Sequence, residues 1–183
     1  MPADTLKSTS ITQLDTAWAT RDPPSAGFGM PTHLSELEDY VSPTTGGLGN
    51  TSSTYKLLRL PSTTVLKSLN LETPAQLDSG SSLLIDVGAY YSDAVDDGTA
   101  AANQGVLISA NCFLAATAFG QGAAQRLWSL TALSAAKRIQ PLWQQVGLTS
   151  DPGGYIDIVL AVHTAAGTAV AGSIIAQADI ASV

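Results

Sequence analysis

His33 and His163 carry the only imidazoles in the chain, the groups most used for proton transfer and metal binding near neutral pH. His33 lies in a proline- and serine-rich stretch, and His163 ends an alternating apolar stretch. A catalytic histidine needs a nucleophile and an orienting carboxylate converging on it, and neither is visible around these two. His163 therefore reads as a solvent-facing or hydrogen-bonded residue at a strand end. Asp93, Asp96 and Asp97 with Gly98 could offer oxygens to calcium, but their spacing is not that of an EF-hand loop, and Asp-Gly is common in bare turns. Asp86 and Asp157 each interrupt a strand-like pattern on the side opposite its apolar series. Pairing with a strand-end cation such as Arg59, or simple exposure, accounts for them better than acid–base work. The single cysteine, Cys112, excludes an intramolecular disulfide and a cysteine-rich zinc site, and its neighbours Phe113 and Leu114 predict a buried, inert thiol. Gly46-Gly-Leu-Gly49 and Gly120-Gln-Gly122 lack the strand-then-helix setting of a phosphate loop. Trp128 and Trp143 sit on the apolar sides of expected short helices, where tryptophan is more often core than a sugar platform. No catalytic, cofactor-binding or metal-ligating residue is expected; these residues describe a protein that binds and builds, not an enzyme.

The bulk properties agree. The 183 residues suffice for one domain with a true core. Charged residues make up only 13%, about half the usual share, and alanine, glycine, serine and threonine fill the gap. So thinly charged a surface suits a subunit that is packed against copies or partners. A net charge of −7, with Lys137-Arg138 the sole basic pair, argues against nucleic acid as a partner. No run approaches the ~18 apolar residues of a membrane helix, and the N-terminus has no signal-peptide pattern, so membranes are not expected partners and assembly in the cytoplasm is.

The elements that must position these side chains read mainly as strands from residue 53 onward. Tyr55 to Leu60 is short and stops at Pro61. Thr64 to Leu71 places Val65, Leu69 and Leu71 on one face, with Lys67 among them. Ser82 to Tyr91 alternates cleanly, with Leu83, Ile85, Val87, Ala89 and Tyr91 on one side. Ile156, Ile158, Leu160 and Val162 form a further series, and Gly172, Ile174, Ala176, Ala178 and Ile180 the last. Period-two patterns of this kind belong to sheets with one buried face. Between them, Ser109 to Phe119 fits a short helix or a strand pair, and Ala124 to Ala136 a connection with one apolar side. Arg138 to Tyr155 is more sharply specified. A short helix presents Leu142, Trp143 and Val146 for burial, Gly147 stops it in a left-handed conformation, and Asp151-Pro-Gly-Gly154 turns into the next strand. The pattern predicts an all-β protein, a jelly-roll-like β-sandwich with short helices and an extended N-terminal arm.

That arm spans residues 1–52, ahead of a sandwich domain at 53–183. It holds five of the nine prolines and few apolar residues, with at most a helical turn at Ser35 to Asp39 and another at Ile11 to Thr20. Its spaced apolar residues Trp18, Phe28, Leu34 and Tyr40 are the candidate partner-binding positions, as anchors on a neighbouring subunit.

Four ordered segments carry a family resemblance: Ser53-Thr-Tyr-Lys-Leu-Leu-Arg-Leu-Pro-Ser62; Ile85-Asp-Val-Gly-Ala-Tyr90; Ile108-Ser-Ala-Asn-Cys-Phe-Leu-Ala115; and Pro141-Leu-Trp143 with Gly147-Leu-Thr-Ser-Asp-Pro152, continuing into Tyr155-Ile-Asp-Ile158 and Thr164-Ala-Ala-Gly-Thr-Ala169. Together, over residues 53 to 180, they resemble small β-sandwich virion proteins encoded among the head genes of tailed bacteriophages. The first 50 residues fall outside the resemblance. The resemblance implies a virion protein that decorates or cements the capsid. Its partners would be the major capsid protein and further copies of itself, as a homotrimer or homodimer. A head–tail joining or tail-associated position is the alternative it leaves, and a carbohydrate-binding module using Trp128 or Tyr90 is a third reading.

Overall fold

The structure is a computed structural model that describes residues 5–8, 11, 34–94, 98–122, 125–128 and 133–181. Nine strands are present among these residues: β1 (Thr5–Lys7), β2 (Leu34–Val41), β3 (Thr54–Pro61), β4 (Val65–Thr73), β5 (Leu84–Tyr91), β6 (Leu107–Ala118), β7 (Gln125–Trp128), β8 (Tyr155–Thr164) and β9 (Ile174–Ala181). They form a five-stranded sheet of order β1-β3-β8-β5-β6 and a four-stranded sheet of order β2-β9-β4-β7. Counting β2 to β9 as strands one to eight gives the orders 1-8-3-6 and 2-7-4-5, the paired Greek keys of a jelly roll. The all-β sandwich expected from the alternating stretches is thus the observed architecture. β1 is an addition to it, pairing in parallel with β3 at the outer edge, while the other strand pairings among the described residues are antiparallel.

The core lies between the sheets. Ile156, Ile158, Leu160 and Val162 of β8 point into it, as do Ile174, Ala176, Ala178 and Ile180 of β9, each series two residues apart. Two bulges shift the expected faces. β4 slips between Leu66 and Ser68, which turns Lys67 away from the core and buries Leu66, so the series predicted as Val65, Lys67, Leu69 and Leu71 is not one face. In β6 the register jumps from Val87–Leu114 to Ala89–Ser109. The looped-out residues cross Gly88, where a Cβ would lie 2.2 Å from the Ser109 carbonyl oxygen and 2.3 Å from that of Ala110. Only glycine admits this approach.

Several local expectations change. Ser35 to Asp39, read as a helical turn, lies in β2, held by an unbroken register with β9 from Leu34–Ala181 to Val41–Ile174. Ser109 to Phe119 falls mainly in one edge strand, β6, and Gln125 to Trp128 is a strand rather than helical surface. The described part of residues 1–52 also belongs to the sandwich: β1 and β2 lie in the two sheets, Thr44 caps a single helical turn at Thr45–Leu48, and Leu48 is buried in the core. The physical reason is that the jelly roll needs β2 to cover the edge of β9. Further along, the short helix Leu142–Gln145 forms as predicted, with Leu142 and Val146 buried and Trp143 half-buried against the core. It is tied to the β3–β4 turn by Leu142 N–H donating to the Thr64 carbonyl (2.7 Å) and Trp143 N–H to that of Ser62 (3.1 Å). Gly147 ends it at φ +94°, the left-handed conformation expected there.

Candidate functional site

The outer face of the five-stranded sheet holds a buried ion cluster. Arg59 and Asp157 are opposite one another on β3 and β8, pointing away from the core. The guanidinium grips the carboxylate with both arms, Nε to Oδ1 at 2.6 Å and Nη2 to Oδ2 at 2.9 Å. Lys56 Nζ reaches the same carboxylate at 3.2 Å. Asp93, in the loop after β5, accepts from Arg59 Nη2 (2.8 Å), Lys56 (2.7 Å) and Lys7 of β1 (2.8 Å). Burial alone would raise the Asp93 pKa, but Lys56 and Lys7 outweigh it and hold the carboxyl well below the usual carboxylate range. The cluster therefore clamps four separate stretches of chain: β1, β3, β8 and the loop after β5. Its carboxylates are already occupied by cations, which suits a rivet and leaves no free general base.

Two further carboxylates organise backbone. Asp78 is fully buried and accepts from the N–H groups of Gly80, Ser82, Leu83 and Thr168 at 2.7–2.9 Å. Burial pushes its pKa up, yet these four donors together hold it well below the ordinary value. Asp86 accepts from the Ala116 N–H (2.7 Å) and lies 2.8 Å from His163 Nδ1. Ala116 has φ +43°, so Asp86 stabilises a left-handed residue in β6 at the sheet edge. His163 is exposed, as expected of a strand end, and Asp86 is its hydrogen-bond partner among the described residues. Among those residues no three of His, Cys, Asp or Glu are grouped to hold a metal ion. Cys112 is half-buried beside the core, and burial pushes its thiol pKa up to about 12.

The outer face of the four-stranded sheet is polar and open. Glu38 of β2 accepts from Gln177 of β9 (2.6 Å), Gln177 accepts from Arg126 of β7 (2.8 Å), and Arg126 pairs with Glu72 of β4 (3.2 Å). This row crosses all four strands. Tyr40, opposite Ile175, lies on the same face and is 53% exposed.

Of the partner-binding positions expected from sequence, Tyr40 is thus exposed on β2, and Leu34 begins that strand opposite Ala181. Trp18 and Phe28 lie outside the described residues, as do His33, Asp96 and Asp97. For Asp157 the structure selects pairing with Arg59 over exposure, the two readings its sequence leaves open, whereas Asp86 meets the Ala116 N–H and His163 instead. Lys7, Lys56 and Asp93 are not legible in the sequence as members of the cluster; the available signal is two cations within β3 among the buried residues Tyr55, Leu57, Leu58 and Leu60.

No protein-family model and no curated protein matches the chain. Two solved structures share its fold. One is a chain of the capsid asymmetric unit of cyanophage Pam1, with 16% identity and a TM-score of 0.52 over 92% of this chain and 98% of that one. The other is a chain of the capsid of Ralstonia phage GP4, with 17% identity and a TM-score of 0.57 over 88% of this chain and 90% of that one.

Proposed function

We propose that this chain is a virion structural protein of a tailed phage that decorates or cements the capsid by bridging neighbouring capsid subunits. The observation that carries the reading is the fold shared almost end to end with chains of two phage capsids. The internal chemistry supports it, because the buried carboxylates are spent on holding loops and strands together. A sandwich riveted in this way is a rigid spacer. Residues Trp18 and Phe28, with Leu34 and Tyr40 of β2, supply the anchors to the neighbouring subunit. Many copies of a weak contact then resist outward pressure through effective concentration rather than through one tight bond.

Quantitative mass spectrometry of purified particles tests this directly. The expected result is a copy number in simple ratio to the major capsid protein. A handful of copies per particle would move the protein to the head–tail joint, and absence from particles would overturn the virion reading.

A further inference from the structure

Charge is unevenly spread along the chain. Residues 98–150 contain no Asp or Glu, only Arg126, Lys137 and Arg138, so this stretch is net +3, while the other five cations and fifteen acids leave net −10 on the rest. Arg126 is held by Glu72 in the polar row. Lys137 and Arg138 are both exposed, and no ion pair joins either of them to a described residue.

These two cations stand on a fixed promontory. Six consecutive residues, Ser134 to Ile139, are exposed, and the buried side chains of Leu133 and Leu142 anchor the segment on either side. Its own hydrogen bonds set its shape. Lys137 N–H donates to Ser134 Oγ (3.3 Å), Arg138 N–H to the Ser134 carbonyl (3.2 Å) and Gln140 N–H to the Lys137 carbonyl (3.0 Å). Two side chains tie it to β4, beside the part of that strand with which β7 does not pair. Arg138 Nη2 donates to the Lys67 carbonyl (3.3 Å), and Nε2 of the buried Gln145 donates to the carbonyls of Gln140 (2.9 Å) and Leu66 (3.1 Å). At the end of the promontory Ile139 is 71% exposed, the most of any large apolar side chain among the described residues. A loose loop could fold an isoleucine back onto the protein; this turn holds it out.

We infer that the promontory is a docking surface for an acidic protein surface, one whose carboxylates surround an apolar depression that takes Ile139. The chemistry selects the partner. Lys137 and Arg138, with Lys67 alongside, meet the carboxylates, and the acidic remainder of the chain repels such a partner elsewhere, so electrostatics steer it to this corner. Nucleic acid is a poor match, because three cations neutralise few phosphates and Ile139 gains nothing from a phosphate backbone. Since the turn is already ordered, little conformational freedom is lost on docking. The inference rests on the capsid-bridging reading for the partner's identity, which is then the capsid protein. A bridge needs two separate contacts. β2, with Leu34 and Tyr40, lies on the other side of β9 from β4, and the promontory supplies the second contact.

The test is co-sedimentation of the purified full-length chain with nuclease-treated empty shells that lack it. The wild-type chain should bind, and more weakly as salt shortens the Debye length from about 10 Å at 0.1 M to about 3 Å at 1 M. Lys137→Glu with Arg138→Glu should weaken binding at least about tenfold. Ile139→Ser should weaken it about tenfold, and Lys137→Arg should leave it unchanged. Lys137→Glu alone leaves the Arg138 hydrogen bond to β4 in place, and circular dichroism of every variant separates a lost contact from a lost fold. Carbodiimide, which joins amines to carboxylates without a spacer, should link Lys137 or Lys67 to an Asp or Glu of the capsid protein. Variants of native circular dichroism that bind as the wild type does overturn the inference and leave the capsid-bridging reading standing. Links from Lys137 to another copy of this chain alone also overturn it. A wild-type chain that binds no shells overturns the capsid-bridging reading and this partner with it.

Discussion

Arg59 and Asp157 face each other across β3 and β8 with two parallel hydrogen bonds, on the side of the sheet away from the hydrophobic core, yet both are buried. Taking both ions out of water costs more than a surface pair would, and only the doubled contact and the flanking Lys56 and Asp93 make it tolerable. The consequence is asymmetric: the pair adds little over an apolar pair of the same shape, but losing one member strands the other.

Asp157→Asn should therefore cost about 3–5 kcal/mol by leaving Arg59 and Lys56 short of a countercharge. Arg59→Met combined with Asp157→Leu should cost less than the single substitution. Urea unfolding of the three proteins checks this, and a double variant less stable than Asp157→Asn would contradict it.

Asp78 and Asp93 set the response to acid. Both carboxyls titrate below their ordinary value in the folded chain. Each therefore contributes stability that is fully present above the unfolded-chain pKa of about 4 and is lost as pH falls toward the lowered folded value. Stability should fall steadily below about pH 4, and Asp78→Asn should flatten that fall while lowering stability at neutral pH by about 2–3 kcal/mol, because amide nitrogen cannot accept from the N–H groups that the second oxygen served. Chemical denaturation at a series of pH values reads both effects.

How far the fold could be seen in advance depends on where the chain keeps a strict period of two. β5, β8 and β9 do, and Ile85, Ile158 and Ala176 all face the core as their spacing predicts. β4 and β6 do not, because the bulges at Lys67 and opposite Gly88 each move side chains to the other face without leaving a mark in composition. β2 was hidden differently: Ser-Glu-Leu-Glu-Asp has the polarity of an exposed helical turn, and Asp39 takes an inward position where an apolar residue would have signalled a strand. The ion cluster was half visible. Asp157 and Arg59 stand out as charges inside apolar strands, but Lys7 and Asp93 come from distant stretches that only the fold brings together.

Gly88 and Gly147 should respond very differently to alanine. At Gly88 the added Cβ would fall within 2.4 Å of three backbone atoms of Ser109 and Ala110, so β6 must move away from β5. A loss of about 3 kcal/mol or more, or failure to fold, is expected. At Gly147 the Cβ meets nothing within 4 Å, and only the positive φ is penalised, at about 1 kcal/mol. Thermal unfolding of both variants gives the contrast, and similar losses at the two sites would refute the close approach of β6 to Gly88.

Cys112 is the chain's single thiol, and its reactivity reports how tightly β6 is held. With its pKa pushed up to about 12 by burial, the thiol of the folded chain holds far less thiolate at pH 8 than an exposed one. The thiolate is the attacking species, so an aromatic disulfide reagent should label the native chain at least about tenfold more slowly than the same chain in guanidinium. Opening of β6 would restore access, which makes the labelling rate a measure of local stability at this sheet edge. Asp86→Ala removes the acceptor that holds Ala116 N–H two residues beyond Leu114. It should loosen the same strand and speed labelling while leaving the rate in guanidinium unchanged. Equal native rates for the two proteins would mean that Asp86 does not anchor β6.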